Sequence, residues 1–277
     1  SSDLVHGDEY DAMPPVWNYA RLPGLTARQL SNLRPQSSFG ERGSASYAGS
    51  VTDGLTGLAA MRLQHVGMTG WKSWFLLEEG VVALGSSLSA PNPDYTEKVF
   101  TTLNQTQYEG PIRVGKTNGS ETTHTLPANE TGEDMLYVWH RDIGYVLLGE
   151  NDPVSVSAAN ETGNWSSIGD SSGEATANVF SLYVDHGVRP VGKTYAYMVM
   201  PAASVEETRF MADNPVVEVL RQDSWIHAVR HIPSGSVYAA FLGAETLDLG
   251  NGKTITVDHP ALIQLVPRFG DWHVSVA

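Results

Sequence analysis

The sequence predicts an all-β protein: a large antiparallel β-sandwich followed by a small C-terminal β-module. Three observations carry the prediction. Apolar runs of strand length recur at 73–78, 81–86 and 98–104, cut by Glu79-Gly80 and by a Pro- and Asn-bearing loop. The runs are rich in aromatic and β-branched residues, which suit a pleated surface. They are also nearly continuous rather than alternating, the pattern of a sheet covered on both faces.

Taken in order, residues 1–50 are a long lead-in. Thr26-Ala27-Arg28-Gln29 has the form of a capping box and predicts a short helix over about 26–32. The segment 34–43 is loop by composition. Strands resume over 45–66 and run through the stretch from Trp71 to Thr106. The polar, Gly- and Thr-rich residues 107–134 read as a long connection with one weak hairpin. Strands follow at 135–140 and 144–149, then a polar insert at 158–176, then strands at 178–184 and 194–200. Ser204-Val205-Glu206-Glu207 is a second capping box, opening a short helix or turn at a boundary near 202–212. Beyond it short strands return, with an Asn251-Gly252 hairpin turn. The chain thus divides into 1–203 and 204–277.

With 277 residues, 41% hydrophobic and 17% charged, the chain is too apolar for disorder and long enough for a sizeable core. No apolar run approaches the roughly 18–20 residues of a membrane span. There is no signal peptide, and Ser1-Ser2-Asp3 reads as a processed start. The absence of cysteine suits the cytosol. Five Asn-X-Ser/Thr signals, at Asn104, Asn118, Asn129, Asn160 and Asn164, argue for an extracellular, secreted glycoprotein, and their clustering favours that reading over chance. A net charge of −14 disfavours nucleic acid and anionic membrane surfaces as partners. Five of the 17 basic residues (Arg21, Arg28, Arg34, Arg42 and Arg62) fall in the first 62 positions. They read either as a patch for carboxylate or sulfate or as ordinary solvated surface.

Several motifs share one order along most of the chain: Trp17 with Leu22-Pro23-Gly24-Leu25-Thr26, Gly40-Glu41-Arg42-Gly43, Lys72-Ser73-Trp74-Phe75, Val82-Ala83-Leu84-Gly85, Thr101-Thr102-Leu103-Asn104-Gln105, His140-Arg141-Asp142-Ile143-Gly144-Tyr145, Asp185-His186-Gly187 and Tyr195-Ala196-Tyr197. Together they resemble the central β-sandwich (super-sandwich) of the family 8 polysaccharide lyases, which include hyaluronan, chondroitin and xanthan lyases. The tail resembles the start of that family's small C-terminal β-domain and looks shortened. The resemblance implies a polysaccharide or oligosaccharide partner. It also implies a loop facing the substrate cleft, in which Phe39 takes the place of an aromatic that stacks on sugar, flanked by Arg34 and Arg42. Equally, Phe39 suits a plug at the edge of the sandwich.

Uronate lyases cleave by β-elimination, which needs the carboxylate neutralised, a base for the C5 proton and an acid for the leaving oxygen. In family 8 the Asn, His, Tyr and Arg that do this lie on an α/α-toroid domain, and no run of amphipathic helices of that kind is seen here. Within the sandwich, His140 and Tyr145 fall on adjacent predicted strands with Arg141 beside them, a candidate base and acid; the alternative is a structural hairpin with buried polar partners. His186 reads as a satisfied core or turn histidine. His227 and His231 lie about 13 Å apart on one face of a strand, too far for a shared metal. No metal or other cofactor is signalled, although an oxygen-ligand calcium site hides easily in sequence. The expectation is a secreted carbohydrate-binding or accessory glycoprotein derived from a polysaccharide lyase. The alternatives are an active lyase, through His140 and Tyr145 or a separate catalytic chain, and a structural or host-interaction glycoprotein.

Overall fold

The computed structural model describes residues 9–30, 44–268 and 270–277. In chain order, α1 (Glu9–Val16) leads to β1 (Thr26–Arg28), β2 (Ala48–Thr52), β3 (Gly57–His65), β4 (Met68–Leu76), β5 (Val81–Ser89), β6 (Lys98–Gln107), β7 (Ile112–Lys116), β8 (Glu121–His124), β9 (Ala128–Gly132), β10 (Met135–His140), β11 (Ile143–Leu147), β12 (Val154–Asn164), β13 (Glu174–Val188) and β14 (Lys193–Pro201). After α2 (Val205–Asp213) come β15 (Val217–Gln222), β16 (Ile226–His231), β17 (Ser236–Phe241), β18 (Glu245–Gly250), β19 (Lys253–Val257), β20 (Ala261–Arg268) and β21 (Asp271–Val276).

These strands stack in four layers. A five-stranded sheet, β1-β6-β13-β12-β9, packs on a nine-stranded sheet, β2-β3-β4-β5-β14-β11-β10-β7-β8. Leu103, Phe180 and Leu182 from the smaller sheet meet Leu88, Tyr145 and Tyr195 from the larger. The other face of the large sheet, with Leu58, Phe75, Val82 and Met198, packs on Val229, Tyr238, Ala240 and Leu262. Those residues belong to a second five-stranded sheet, β15-β16-β17-β20-β21. Its far face, with Ala228, Ala239 and Phe241, is covered by Leu247 of the β18-β19 hairpin. Neighbouring strands run antiparallel, as in the long ladders that join β3 to β4 and β4 to β5. The central strands read as continuous apolar runs because both of their faces are buried.

Polar residues join the large sheet to the C-terminal sheet. His227 on β16 is fully buried, with Nδ1 2.7 Å from Ser73 Oγ and Nε2 2.8 Å from Ser86 Oγ. Ser86 donates its own proton to the Asp223 carbonyl at 2.7 Å, so it accepts from His227 Nε2–H. Nδ1 then accepts from Ser73, and the ring is neutral with every polar atom satisfied. Beside it the β5-β14 ladder is irregular, and Gln222 Nε2 donates to the Gly85 and Tyr195 carbonyls at 2.9 and 2.7 Å.

Local chemistry fixes the turns. Asn251 and Gly252 both have positive φ, as a two-residue type I′ hairpin requires. Gly80, at φ +151°, closes the β4-β5 turn where a Cβ would collide with the Val199 carbonyl. The second capping box forms as predicted, with Ser204 and Glu207 bonding reciprocally at the start of α2.

The first capping box does not open a helix. Residues 26–28 are β1, paired with β6, and the Thr26 hydroxyl bonds Thr101 Oγ1 at 2.9 Å across the sheet instead of a backbone amide. Tertiary pairing overrides the local signal there. The predicted connection at 107–134 contains β7, β8 and β9, and the predicted insert at 158–176 holds the far ends of β12 and β13, paired from Val154↔Val184 out to Asn164↔Glu174. Their outer residues are largely exposed, so they carry no apolar run to read.

Burial holds the His227 pKa down at about 4, and burial together with nearby Arg141 holds that of His140 at about 3, against 6.5 for a free side chain. The unfolded chain therefore takes up protons below pH 6.5 that the folded chain refuses, so stability falls as pH drops from 6.5 towards 4. Each histidine contributes a slope of up to about 1.4 kcal/mol per pH unit in that window. This window lies above the acid loss from Glu121. Burial alone would raise that carboxyl, but bonds from Tyr137, Arg113 and Arg209 keep it at about 2. Urea denaturation across pH 4–7 should show the histidine slope, reduced in His227→Gln. An unchanged slope in that variant contradicts the neutral buried imidazole.

Candidate functional site

The predicted acid–base pair is brought together, but inside the core. β10 and β11 pair His140 with Ile143 and Val138 with Tyr145. His140 is 1% exposed and Tyr145 fully buried. The His140 ring stacks on Phe180 at 4.3 Å and on Tyr108 at 5.6 Å, and its Nε2 accepts from the Glu109 amide at 3.2 Å. Tyr145 accepts a bond from Asn104 Nδ2. A general base must reach substrate and carry a proton near the working pH. His140 is sealed between aromatic rings, and burial with nearby Arg141 holds its pKa near 3, so as placed it meets neither condition. Arg141 reaches Glu109 at 3.1 Å and the Gln107 carbonyl at 3.2 Å.

The remaining predicted residues divide in the same way. His186 is a buried linker, with Nδ1 2.7 Å from Asp152 and Nε2 2.8 Å from Thr101. His231 bonds Glu79 at 3.1 Å and Ser234 at 2.7 Å. Among the described residues no three His, Cys, Asp or Glu side chains are grouped to hold a metal ion. Phe39, Arg34 and Arg42 lie outside the described residues. Of the five glycosylation signals, Asn118, Asn129, Asn160 and Asn164 are at least partly accessible. Asn104 is not: it sits mid-strand in β6 with no exposed surface, bonded to Tyr145, and the packed core leaves no room for a glycan there.

A polar cavity of about 340 Å³ opens on the outer face of the smaller sheet. The chain leaving α1 folds over that face. Met13 and Val16 pack on Ala177 and Val179, and buried Gln105 ties the segment down. Its Oε1 accepts from Asn18 N at 2.9 Å and its Nε2 donates to the Asn18 and Arg21 carbonyls at 3.1 Å. Trp17 and Tyr19 stand edge to face at 6.3 Å in the lining, which they share with Ser157, Ser181 and one carboxylate, Glu161. Trp17 Nε1 is buried with no acceptor. Arg21 also lines the cavity, its guanidinium 5.1 and 4.9 Å from the centroids of Phe100 and Tyr183, which stack on each other at 4.2 Å. Arg21 Nε donates to Gln29 at 2.8 Å, and no carboxylate among the described residues pairs with it. Aromatic walls, hydroxyls and an unneutralised guanidinium are groups that recognise a sugar ring bearing a carboxylate or sulfate. The sequence alone assigned Trp17 to a family motif and Arg21 to the basic residues of the lead-in, and neither to a cavity. The only hint was an arginine close behind two aromatics.

The family model for the polysaccharide lyase family 8 super-sandwich domain matches residues 3–212. The chain belongs to polysaccharide lyase family 8. It is 32% identical to chondroitinase-AC of Pedobacter heparinus over 264 residues, covering 94% of this chain and 36% of that protein. It is 31% identical to hyaluronate lyase of Thermasporomyces composti, covering 92% of this chain and 33% of that one. A solved chondroitinase AC lyase, studied as oligosaccharide complexes, superposes with a TM-score of 0.87 at 30% identity over 98% of this chain and 40% of its own. Paenibacillus xanthan lyase gives 0.80 at 25% identity over 93% and 25%. The chain thus spans about a third of the length of the two lyases it matches in sequence.

Because His140 and Tyr145 are packing residues, their replacement should cost stability. Tyr145→Phe leaves Asn104 Nδ2 without its acceptor and should lose about 1–2 kcal/mol. His140→Ala opens a hole between two rings and should lose about 2–4 kcal/mol. Urea denaturation at neutral pH measures both. Two variants as stable as the parent protein contradict the packing role.

Proposed function

We propose that this chain is the sugar-engaging sandwich of a family 8 polysaccharide lyase and performs no β-elimination through its own described residues. The observation that carries the proposal is Arg21, a guanidinium without a carboxylate partner, laid on two stacked rings in an aromatic-walled polar cavity. In this reading a uronate carboxylate or sulfate pairs with Arg21. The ring leans on Trp17 and Tyr19, and sugar hydroxyls meet Ser157 and Ser181. The groups that move protons come from outside the described residues, in a longer form of the chain or in a separate one. The relatives named as chondroitin, hyaluronate and xanthan lyases support an acidic polysaccharide as the substrate class. The net charge of −14 works against long-range capture of such a polymer. Affinity therefore rests on short-range contacts and is weak, about millimolar to high micromolar for a short oligosaccharide.

An extracellular site of action follows from the same reading, since polysaccharides of these kinds lie outside cells. No helix among the described residues is long and apolar enough to cross a membrane. Passed through a eukaryotic secretory pathway, the protein should carry glycan on some of Asn118, Asn129, Asn160 and Asn164 and none on Asn104. Peptide mapping after deglycosylation decides this, and glycan at Asn104 contradicts the buried placement of that side chain.

The functional reading is tested by two measurements on the same preparation. Incubation with chondroitin, hyaluronan or xanthan should give no ultraviolet-absorbing unsaturated product. Titration with chondroitin oligosaccharides, followed by NMR, should move resonances around Trp17 to Arg21, and Trp17→Ala and Arg21→Ala should each weaken binding about three- to tenfold. Robust turnover overturns the claim of no intrinsic catalysis. Binding that ignores both substitutions overturns the site.

A further inference from the structure

A groove beside α2 has different chemistry from the sugar cavity. α2 buries Met211 and Ala212 but leaves Phe210 outside, 66% exposed. Phe210 and Met211 with Met200 and Ala203 make an apolar floor, and the Glu78-Glu79 turn between β4 and β5 also lines this cavity of about 660 Å³. Every charged residue lining it is a glutamate. The arginine of α2 offers no relief, because Arg209 turns away to Tyr137 and Glu121, at 3.2 and 2.7 Å. Glu207 is committed to the helix cap through Ser204. Glu78 and Glu206 pair with no basic side chain among the described residues.

Glu79 stands apart from the other three. One of its oxygens meets His231 Nε2 at 3.1 Å, while the other is buried with no donor. A buried carboxylate oxygen without a hydrogen bond is costly and rare in a folded protein. Glu79, its side chain 30% exposed, lines the same groove as the exposed Phe210 and is the carboxylate that an incoming ammonium or guanidinium would meet there. The groove falls within the usual size of a binding pocket. Acidic glycans are excluded by the glutamates, and an anionic membrane surface finds no basic residue in this lining.

We propose that this groove docks a cationic segment of another polypeptide, in which a Lys or Arg reaches Glu79 and an adjacent bulky apolar side chain lies over Phe210 and Met200. Charge complementarity chooses the occupant: an apolar floor calls for an apolar anchor, and a lining whose only charged residues are glutamates, with Glu78 and Glu206 lacking any basic partner among the described residues, calls for a positive charge next to it. The contact is independent of the sugar cavity beside Trp17 and shares no residue with it.

The test is an NMR titration of the isotope-labelled protein with the synthetic peptide acetyl-Gly-Arg-Trp-Arg-Gly-amide. Two control peptides replace both arginines by citrulline or the tryptophan by serine. The parent peptide should shift amides of the Glu78-Glu79 turn and of α2, and its affinity should fall as salt rises. Each control should bind about tenfold more weakly, and Glu79→Gln and Phe210→Ser should each weaken the parent peptide about fivefold or more. The Glu79→Gln side chain keeps an acceptor for His231, and Phe210 is exposed, so both variants should retain the parent's dispersed spectrum. If Glu79→Gln loses it, Phe210→Ser decides alone. The proposal is overturned by the absence of shifts, by shifts confined to another surface, by equal binding of the citrulline peptide, or by variants that bind like the parent.

Discussion

The nine-stranded sheet is buried on both faces, and the rest of the molecule answers to that constraint. Its faces contact different partners, the smaller sandwich sheet on one side and the C-terminal sheet on the other. Water is excluded from the middle strands, so each polar side chain there must find its partner within the protein. Lys72, 4% exposed, donates to the Gly24 carbonyl and lies near the rings of Trp74 and Tyr195. Burial lowers its pKa to about 8. On the opposite face of the same strand, Ser73 is held by His227. One strand thus anchors the lead-in with one residue and the C-terminal sheet with the next.

This architecture separates stability from chemistry. The histidines, tyrosines and amides that look most reactive in the sequence are the ones the two-sided sheet consumes. His140, Tyr145, Asn104, His186 and His227 are all inside, bonded or stacked, and the pKa values of His140 and His227 are moved chiefly by burial rather than by a catalytic neighbour. Groups free to meet a ligand lie where a layer ends. Arg21 and Trp17 stand over the outer face of the smaller sheet, and Glu79 and Phe210 stand at the β4-β5 turn and on α2.

Much of the fold was legible because its signals are local. Continuous apolar runs at 73–78 and 81–86 announced a sheet buried on both sides, Asn251-Gly252 announced a hairpin, and Ser204 with Glu207 announced a helix. The ordered motifs from Trp17 to Tyr197 pointed to the family. What was not legible depended on distant partners. Thr26 pairs with Thr101 across a sheet, so its capping pattern misled. Asn104 has an acceptor sequence like the other four signals, and only its place opposite Tyr145 removes it. The cavity draws Trp17, Gln105, Ser157 and Ser181 from remote segments, and no spacing along the chain encodes that meeting.

The outer reach of β12 and β13 has a consequence for how this protein changes over evolutionary time. Beyond Glu161 and Ala177 the two strands run on through Thr162↔Thr176 and Gly163↔Ala175 to Asn164↔Glu174, with none of these six residues buried. Because side chains alternate with a period of two, residues gained or lost there in matched pairs leave the pairing inside the sandwich in phase, whereas a single-residue change would turn a strand over and expose its core face. Length variants among descendants should therefore accumulate at this tip in even steps, and the tip is the natural place to graft a foreign sequence onto the scaffold.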